Sequence, residues 1–222
     1  MSGAGHTPHP HGAHDHAGDH AAVEDVARPG YYEIMEIAVR ELLVERGHIQ
    51  GAEIHRQIDL LDSRTPALGA AIVARAWMDP AFKARLLADG RGVAEELGVS
   101  FYDDTGLIVL ENTAEVHNLV VCTLCSCYPR PVLGLPPEWY KLKPYRARAV
   151  SEPRALLAEF GTVLPDDVEI RVSDSTSMAR YLVLPRRPEG TEDFTETQLA
   201  ALVTRDAMIG VVPVELPEGR PA

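Results

Sequence analysis

The sequence predicts an α+β chain: a helical N-terminal arm followed by a layered α/β-sheet domain that carries a cysteine-rich loop. Three observations predict it. Apolar residues recur at helical spacing through the first hundred residues, and runs rich in β-branched residues begin near residue 107. Immediately after the second such run, all three cysteines fall within six residues, ahead of a proline-rich stretch. The expected division is a tail over 1–28, a helical region over 29–100 and an α+β metal-site domain over 101–222.

Six of the nine histidines (His6, His9, His11, His14, His16 and His20) lie among Gly, Asp, Ala and Pro at the N-terminus. Such a segment has little to bury and is expected to be a disordered tail, able to capture a divalent transition metal loosely through imidazole. After Pro29-Gly30, the segment 31–46 places Ile34, Ala38 and Leu42 on one helical face, and Gly47 stops it. A shorter helix is expected over 51–62. Another starts after Thr65-Pro66 and runs through Trp77, a packing residue, to Met78. Asp79-Pro80 then opens one over about 81–97, weakened by Gly90 and Gly92. LIVLEN and HNLVVC read as strands, and PRPVLGLPP (129–137) as an irregular loop. Pro153 and Gly161 bracket a short helix. VEIRV and RYLVL read as two strands with SDSTSM as the connecting turn. Thr195 and Gln198 form a capping box ahead of a helix that buries Leu199, Leu202 and Val203.

Composition narrows the function. The chain has 222 residues, 45% of them apolar, and a formal charge of −12. An acidic chain is repelled by phosphate backbones, so no nucleic-acid partner is expected. No run reaches the roughly 20 apolar residues of a membrane span, and no signal pattern opens the chain, so a cytoplasmic location without a membrane partner is expected. An odd number of cysteines excludes a fully paired disulfide scaffold.

The segment Cys122-Thr123-Leu124-Cys125-Ser126-Cys127 puts three sulfurs within reach of one ion. Thiolates are soft donors and favour a transition metal over Mg²⁺ or Ca²⁺. Structural zinc and iron–sulfur clusters each ordinarily take four ligands, and a fourth cysteine is absent, although His117 lies five residues upstream. A redox pair Cys122/Cys125 fits poorly beside a third thiol. Other polar groups are less telling: Asp166-Asp167 is a solvated turn, His48 and His55 are surface residues, and Arg146 and Arg148 are expected at a subunit interface.

Cys-Thr-Leu-Cys-Ser-Cys, with the following PVLGLPP, Trp139-Tyr140-Lys141 and Tyr145-Arg146-Ala147-Arg148, resembles the nitrile hydratase α subunit. The likeness continues through EIRV (169–172), Arg180-Tyr181, Val183-Leu184-Pro185 and VTRD (203–206). It covers 107–212 closely and 31–98 more loosely, and the thiocyanate hydrolase γ subunit shares the cluster. The resemblance implies one trivalent ion held by Cys122, Cys125 and Cys127 and by the backbone nitrogens of Ser126 and Cys127, with Cys125 as sulfinate and Cys127 as sulfenate. Thr123 resembles cobalt members, so Co³⁺ is expected over iron. Cys127, with Ser126 beside it, is the implied catalytic residue for hydrating a small nitrile. The implied partners are a β subunit, in one chain or two, whose arginines clamp the oxidised sulfurs, and a metallochaperone. Where the family usually has Trp, this chain has Arg130, read either as tuning the pocket toward a polar, heteroaromatic or anionic substrate or as facing a partner subunit. Thiocyanate hydrolysis and a non-enzymatic metal-trafficking role are the alternatives.

Overall fold

The structure, a computed structural model, describes residues 30–101 and 104–216. The histidine-rich tail lies outside them. The chain divides into two compact units, one ending at Gly51 and the other spanning Ala52–Ala222.

In the first unit, α1 (Tyr31–Glu45) is capped where Glu33 reaches back to accept from the Gly30 amide at 2.6 Å. Gly47, at φ +70°, follows its end. None of its residues is buried, and Tyr31, Tyr32, Ile34 and Val39 stand open.

α2 (Gly51–Asp62) opens at the boundary residue and runs into the second unit, followed by α3 (Ala67–Met78). α3 is rich in small residues because it is enclosed: Gly69, Ala70, Ile72, Val73, Ala74 and Ala76 are buried. A Cβ on Gly69 would stand 2.7 Å from Leu133 and 2.8 Å from Met208, so only glycine lets these segments approach. Trp77 packs as expected, and its indole donates to the Pro185 carbonyl at 2.8 Å.

The helix expected over 81–97 is divided. α4 (Pro80–Ala88) ends at Asp89, whose carboxylate accepts from the Gly92 amide and starts α5 (Gly90–Glu96). The break has a packing cause. A Cβ at Gly90 would meet the Leu107 carbonyl at 2.6 Å, so α5 presses directly on the first strand. Asp79 caps α4 through the amides of Ala81 and Phe82, both at 2.9 Å.

Four six-residue strands follow: β1 (Gly106–Glu111), β2 (Val116–Val121), β3 (Glu169–Asp174) and β4 (Ala179–Leu184). Although joined by a short turn, β3 and β4 do not pair with each other. β1 pairs in parallel with β4, and β2 in parallel with β3. The chain thus contains two strand–turn–strand units laid side by side, each giving one strand to each sheet. Both turns are built alike. Thr113 Oγ1 accepts from the amides of Glu115 and Val116, and Thr176 Oγ1 from those of Met178 and Ala179. Leu119, Val121, Leu182 and Leu184 form the core with Ile72, Val73 and Met208.

Between β2 and β3 run α6 (Arg130–Leu133), α7 (Glu138–Lys141), α8 (Lys143–Ser151) and α9 (Pro153–Glu159). The proline-rich stretch is therefore not wholly irregular: it holds one turn of helix, closed by Gly134 at φ +69° against the Arg64 backbone. After β4 come α10 (Glu196–Leu202), with the expected capping box, and α11 (Arg205–Ile209).

His117 is buried in β2. With Nε2 protonated, it donates to the Gly210 carbonyl at 2.7 Å while Nδ1 accepts from the Asn112 amide at 3.4 Å. Burial lowers its pKa below the usual 6.5, against a smaller raising effect of the Gly210 bond. Below pH 6.5 the unfolded chain gains a proton that the folded chain resists, so stability falls as pH falls, by up to about 1.4 kcal/mol per pH unit. Denaturant midpoints measured between pH 7.5 and 5.5 will show His117→Gln losing less stability over that range than the parent chain. Gly210 (φ +87°) approaches Asn118 so closely that a Cβ would overlap its carbonyl, 1.9 Å away. Gly210→Ala is expected to cost roughly 2 kcal/mol or more in the same assay.

Candidate metal centre

The cysteine loop leaves the end of β2. Cys122 continues that strand into the interior and is fully buried, Cys127 is half-buried and Cys125 is exposed. The Cys122 and Cys125 sulfurs are 3.5 Å apart and those of Cys125 and Cys127 3.3 Å apart. All three lie within 4.8 Å of one another, and they form the one group of metal-ligating side chains among the described residues. His117 is not part of it; its ring is committed to Gly210 and Asn112 at the far end of β2. The donor set therefore fits one soft or borderline transition-metal ion, with its outer side open.

Four residues outside the loop shape it. Asp174, the last residue of β3, accepts from the Thr123 amide at 2.9 Å and from the Thr123 hydroxyl at 2.5 Å. The parallel register places it there, because Asp174 is opposite Val121. Tyr140, fully buried on α7, donates to the Cys127 carbonyl at 2.9 Å. Arg146 on α8 donates to the carbonyls of Cys125 (3.0 Å) and Thr123 (3.4 Å). The side chain of Arg146 thus turns into its own chain's loop, and Arg148 pairs with Glu152 and Glu159. Tyr145 anchors the preceding strand by donating to the Val120 carbonyl at 2.6 Å. Trp139, Tyr140, Tyr145 and Phe160 make edge-to-face or tilted contacts beneath the loop.

The environment separates the thiols. Cys125 is lowered to about 7, first by the hydrogen bond from Cys127, then by that from Cys122, with the Ser126 and Cys127 backbone amides adding to it. Burial pushes Cys127 up to about 12, while the positive charge of Arg180 works against that rise. The exposed sulfur is thus the readiest thiolate. Ser126 is half-buried between the two outer cysteines. Asp166, Asp167, His48 and His55 are exposed, as expected.

Three sulfurs converging at a strand end and braced from three other elements define the class as a candidate soft-metal protein. A family model described as nitrile hydratase, alpha chain, matches residues 30–212. The low-molecular weight cobalt-containing nitrile hydratase subunit alpha of Rhodococcus rhodochrous is 57% identical over 175 residues, 78% of this chain and 84% of that one. Thiocyanate hydrolase subunit gamma of Thiobacillus thioparus is 47% identical, over 81% of this chain and 79% of its own. Among solved structures, a double mutant of the Fe-type nitrile hydratase from Comamonas testosteroni Ni1 superposes with a TM-score of 0.80 at 43% identity, over 86% and 96% of the two chains. The chain belongs to the nitrile hydratase α-chain family and is an enzyme subunit. That membership removes the non-enzymatic metal-trafficking alternative.

Asp174, Tyr140 and Arg146 hold the loop from a distance that local spacing does not reveal. Asp174→Ala removes two hydrogen bonds from the loop at an exposed strand end. It is expected to lower metal affinity by roughly 10- to 100-fold while leaving the thermal midpoint within a few degrees of the parent. Elemental analysis after dialysis against a chelator, paired with thermal unfolding, checks both halves.

Proposed function

We propose that this chain is the α subunit of a cobalt nitrile hydratase, adding water across a small nitrile to give the amide. The observation that carries the reading is the convergence of Cys122, Cys125 and Cys127 in a chain of this family. Their sulfurs, with the backbone nitrogens of Ser126 and Cys127, would hold one Co³⁺; iron is the less favoured ion, since the 57% identical relative is cobalt-containing. The ion's part is Lewis acidity.

The chain's own residues supply the rest. Cys122, out of solvent, stays a simple thiolate. Cys125 and Cys127, on the open side, are the two that oxidation reaches, to sulfinate and sulfenate. The Cys127 sulfenate oxygen would take the proton from the attacking water and pass it to the nitrile nitrogen, or would itself bond to the nitrile carbon, the S–O–C link then being hydrolysed by one water to release the amide and restore the sulfenate. Ser126 would hydrogen-bond there, or contribute its backbone nitrogen alone. Tyr140 and Arg146 hold the loop carbonyls, so the sulfurs keep their positions as charge moves. Arginines of a partner would clamp the oxidised sulfurs, and Leu124, 88% exposed, lies on the face it would cover. A β subunit, in one chain or two, supplies those arginines, and a metallochaperone delivers the ion. A cytoplasmic site of action accords with the absence, among the described residues, of any helix long and apolar enough to cross a membrane.

Thiocyanate hydrolysis is the second reading, supported by the Thiobacillus thioparus relative and by the cations near the loop. The chain co-expressed with its neighbours in cobalt medium tests both. The expected result is about one cobalt per chain, two added oxygens on Cys125 and one on Cys127 by peptide mass, and an amide from a nitrile. Carbonyl sulfide and ammonia from thiocyanate, with nitriles untouched, select the second reading. Zinc with three unmodified thiols in the active complex defeats both.

A further inference from the structure

Ser175 stands one residue past the end of β3, and its amide donates to the Val121 carbonyl at 2.7 Å. That bond carries the β2–β3 ladder one step beyond the Val121–Asp174 pair, so Ser175 lies level with Cys122. Side chains level across a ladder share a face of the sheet. Burial agrees: Cys122 is 0% exposed and Ser175 2%, whereas Asp174, one residue earlier, is exposed.

The Ser175 hydroxyl is buried and meets no hydrogen-bond partner among the described residues. The Tyr140 phenol is close by: burial raises its pKa above the usual tyrosine value, and Ser175 works against that rise. The phenol's own proton is already given to the Cys127 carbonyl. A buried hydroxyl left without a partner carries a desolvation cost that alanine would avoid. Across the ladder, the Cys122 sulfur receives the Cys125 amide at 3.3 Å and touches the Cys125 sulfur at 3.5 Å. As a thiol it is a weak acceptor. As a thiolate on a metal it is charged and accepts strongly. A spare donor and an acceptor that strengthens on metal binding thus face each other from neighbouring strands.

We infer that Ser175 donates its hydroxyl proton to the Cys122 sulfur once that sulfur holds the ion, and that this bond tunes the centre. The inference rests on the reading of Cys122 as a metal-bound thiolate and deepens it. A hydrogen bond draws electron density from the sulfur, so less reaches the metal. The ion stays electron-poor and remains the stronger Lewis acid. Ser175 acts through Cys122 and is a positioning residue.

The cobalt-loaded complex with its partner chains provides the test, in the parent and in Ser175→Ala, Ser175→Thr and Ser175→Val. Three quantities are measured: the sulfur-to-cobalt charge-transfer absorption, the cobalt reduction potential, and kcat and KM for butyronitrile. In Ser175→Ala the absorption is expected at longer wavelength and the potential shifted negative, with kcat about tenfold lower and KM within about twofold of the parent. Ser175→Thr keeps the hydroxyl and returns absorption and potential toward the parent values. Ser175→Val has the same shape without the hydroxyl and follows alanine. The Thr and Val variants share β-branching, so their difference isolates the hydroxyl even if Ser175→Ala does not assemble. Equal absorption and potential in those two variants, or in the parent and Ser175→Ala, overturns the inference; that is also the result if the hydroxyl serves Tyr140 instead. If the parent hydrates neither nitriles nor thiocyanate while absorption and potential still follow the hydroxyl, the hydration reading fails and the hydrogen bond to Cys122 stands.

Discussion

Everything at the metal centre depends on the parallel pairing of β2 with β3. The register brings Val121 level with Asp174, and Cys122 is the next residue of one strand while Asp174 ends the other. The turn that starts the cysteine loop is therefore tied across the sheet as soon as it leaves it, through the amide and hydroxyl of Thr123. A one-residue slip would reverse the faces of β2 and expel Cys122 from the core. Sulfur donors crowded within van der Waals distance are held by backbone geometry, and that geometry is fixed by the strand pair beneath.

The helices between β2 and β3 complete the cradle. Their sequence is proline-rich, which keeps each helix to a turn or two and lets the chain change direction repeatedly in a small volume. Those reversals set the Tyr140 hydroxyl and the Arg146 guanidinium onto loop carbonyls from opposite elements. The aromatic side chains Trp139, Tyr140, Tyr145 and Phe160 stiffen the support, because their edge-to-face and tilted rings fill the space while the Tyr140 and Tyr145 hydroxyls are both hydrogen-bonded. Burial of Cys122 and exposure of Cys125 then give chemically distinct thiols from one residue type.

Local features were legible and long-range ones were not. C-x-x-C-x-C is a local constraint, so three neighbouring sulfurs follow from spacing alone. The capping box at Thr195 and Gln198 and the helical periodicity of α1 and α3 are likewise short-range. The split at Asp89 was hidden because its cause lies in β1, which leaves no room for a side chain at Gly90. The pairing of β1 with β4 spans some seventy residues, and alternation within a strand carries no address for its partner. Asp174, Tyr140 and Arg146 escaped for the same reason: each reaches the loop only after the sheet and α7–α8 have formed. The assignment of Arg146 to a subunit interface missed that its side chain turns into its own loop.

The uneven exposure of the three sulfurs imposes a direction. Cys125 and its neighbour Leu124 face outward while Cys122 is sealed below, so an ion can arrive only from the outer side. A chain that covers this face closes that entrance, and whatever is inside is then retained. The approach to the sulfurs is thus one-sided, decided by which of three nearly adjacent cysteines meets water.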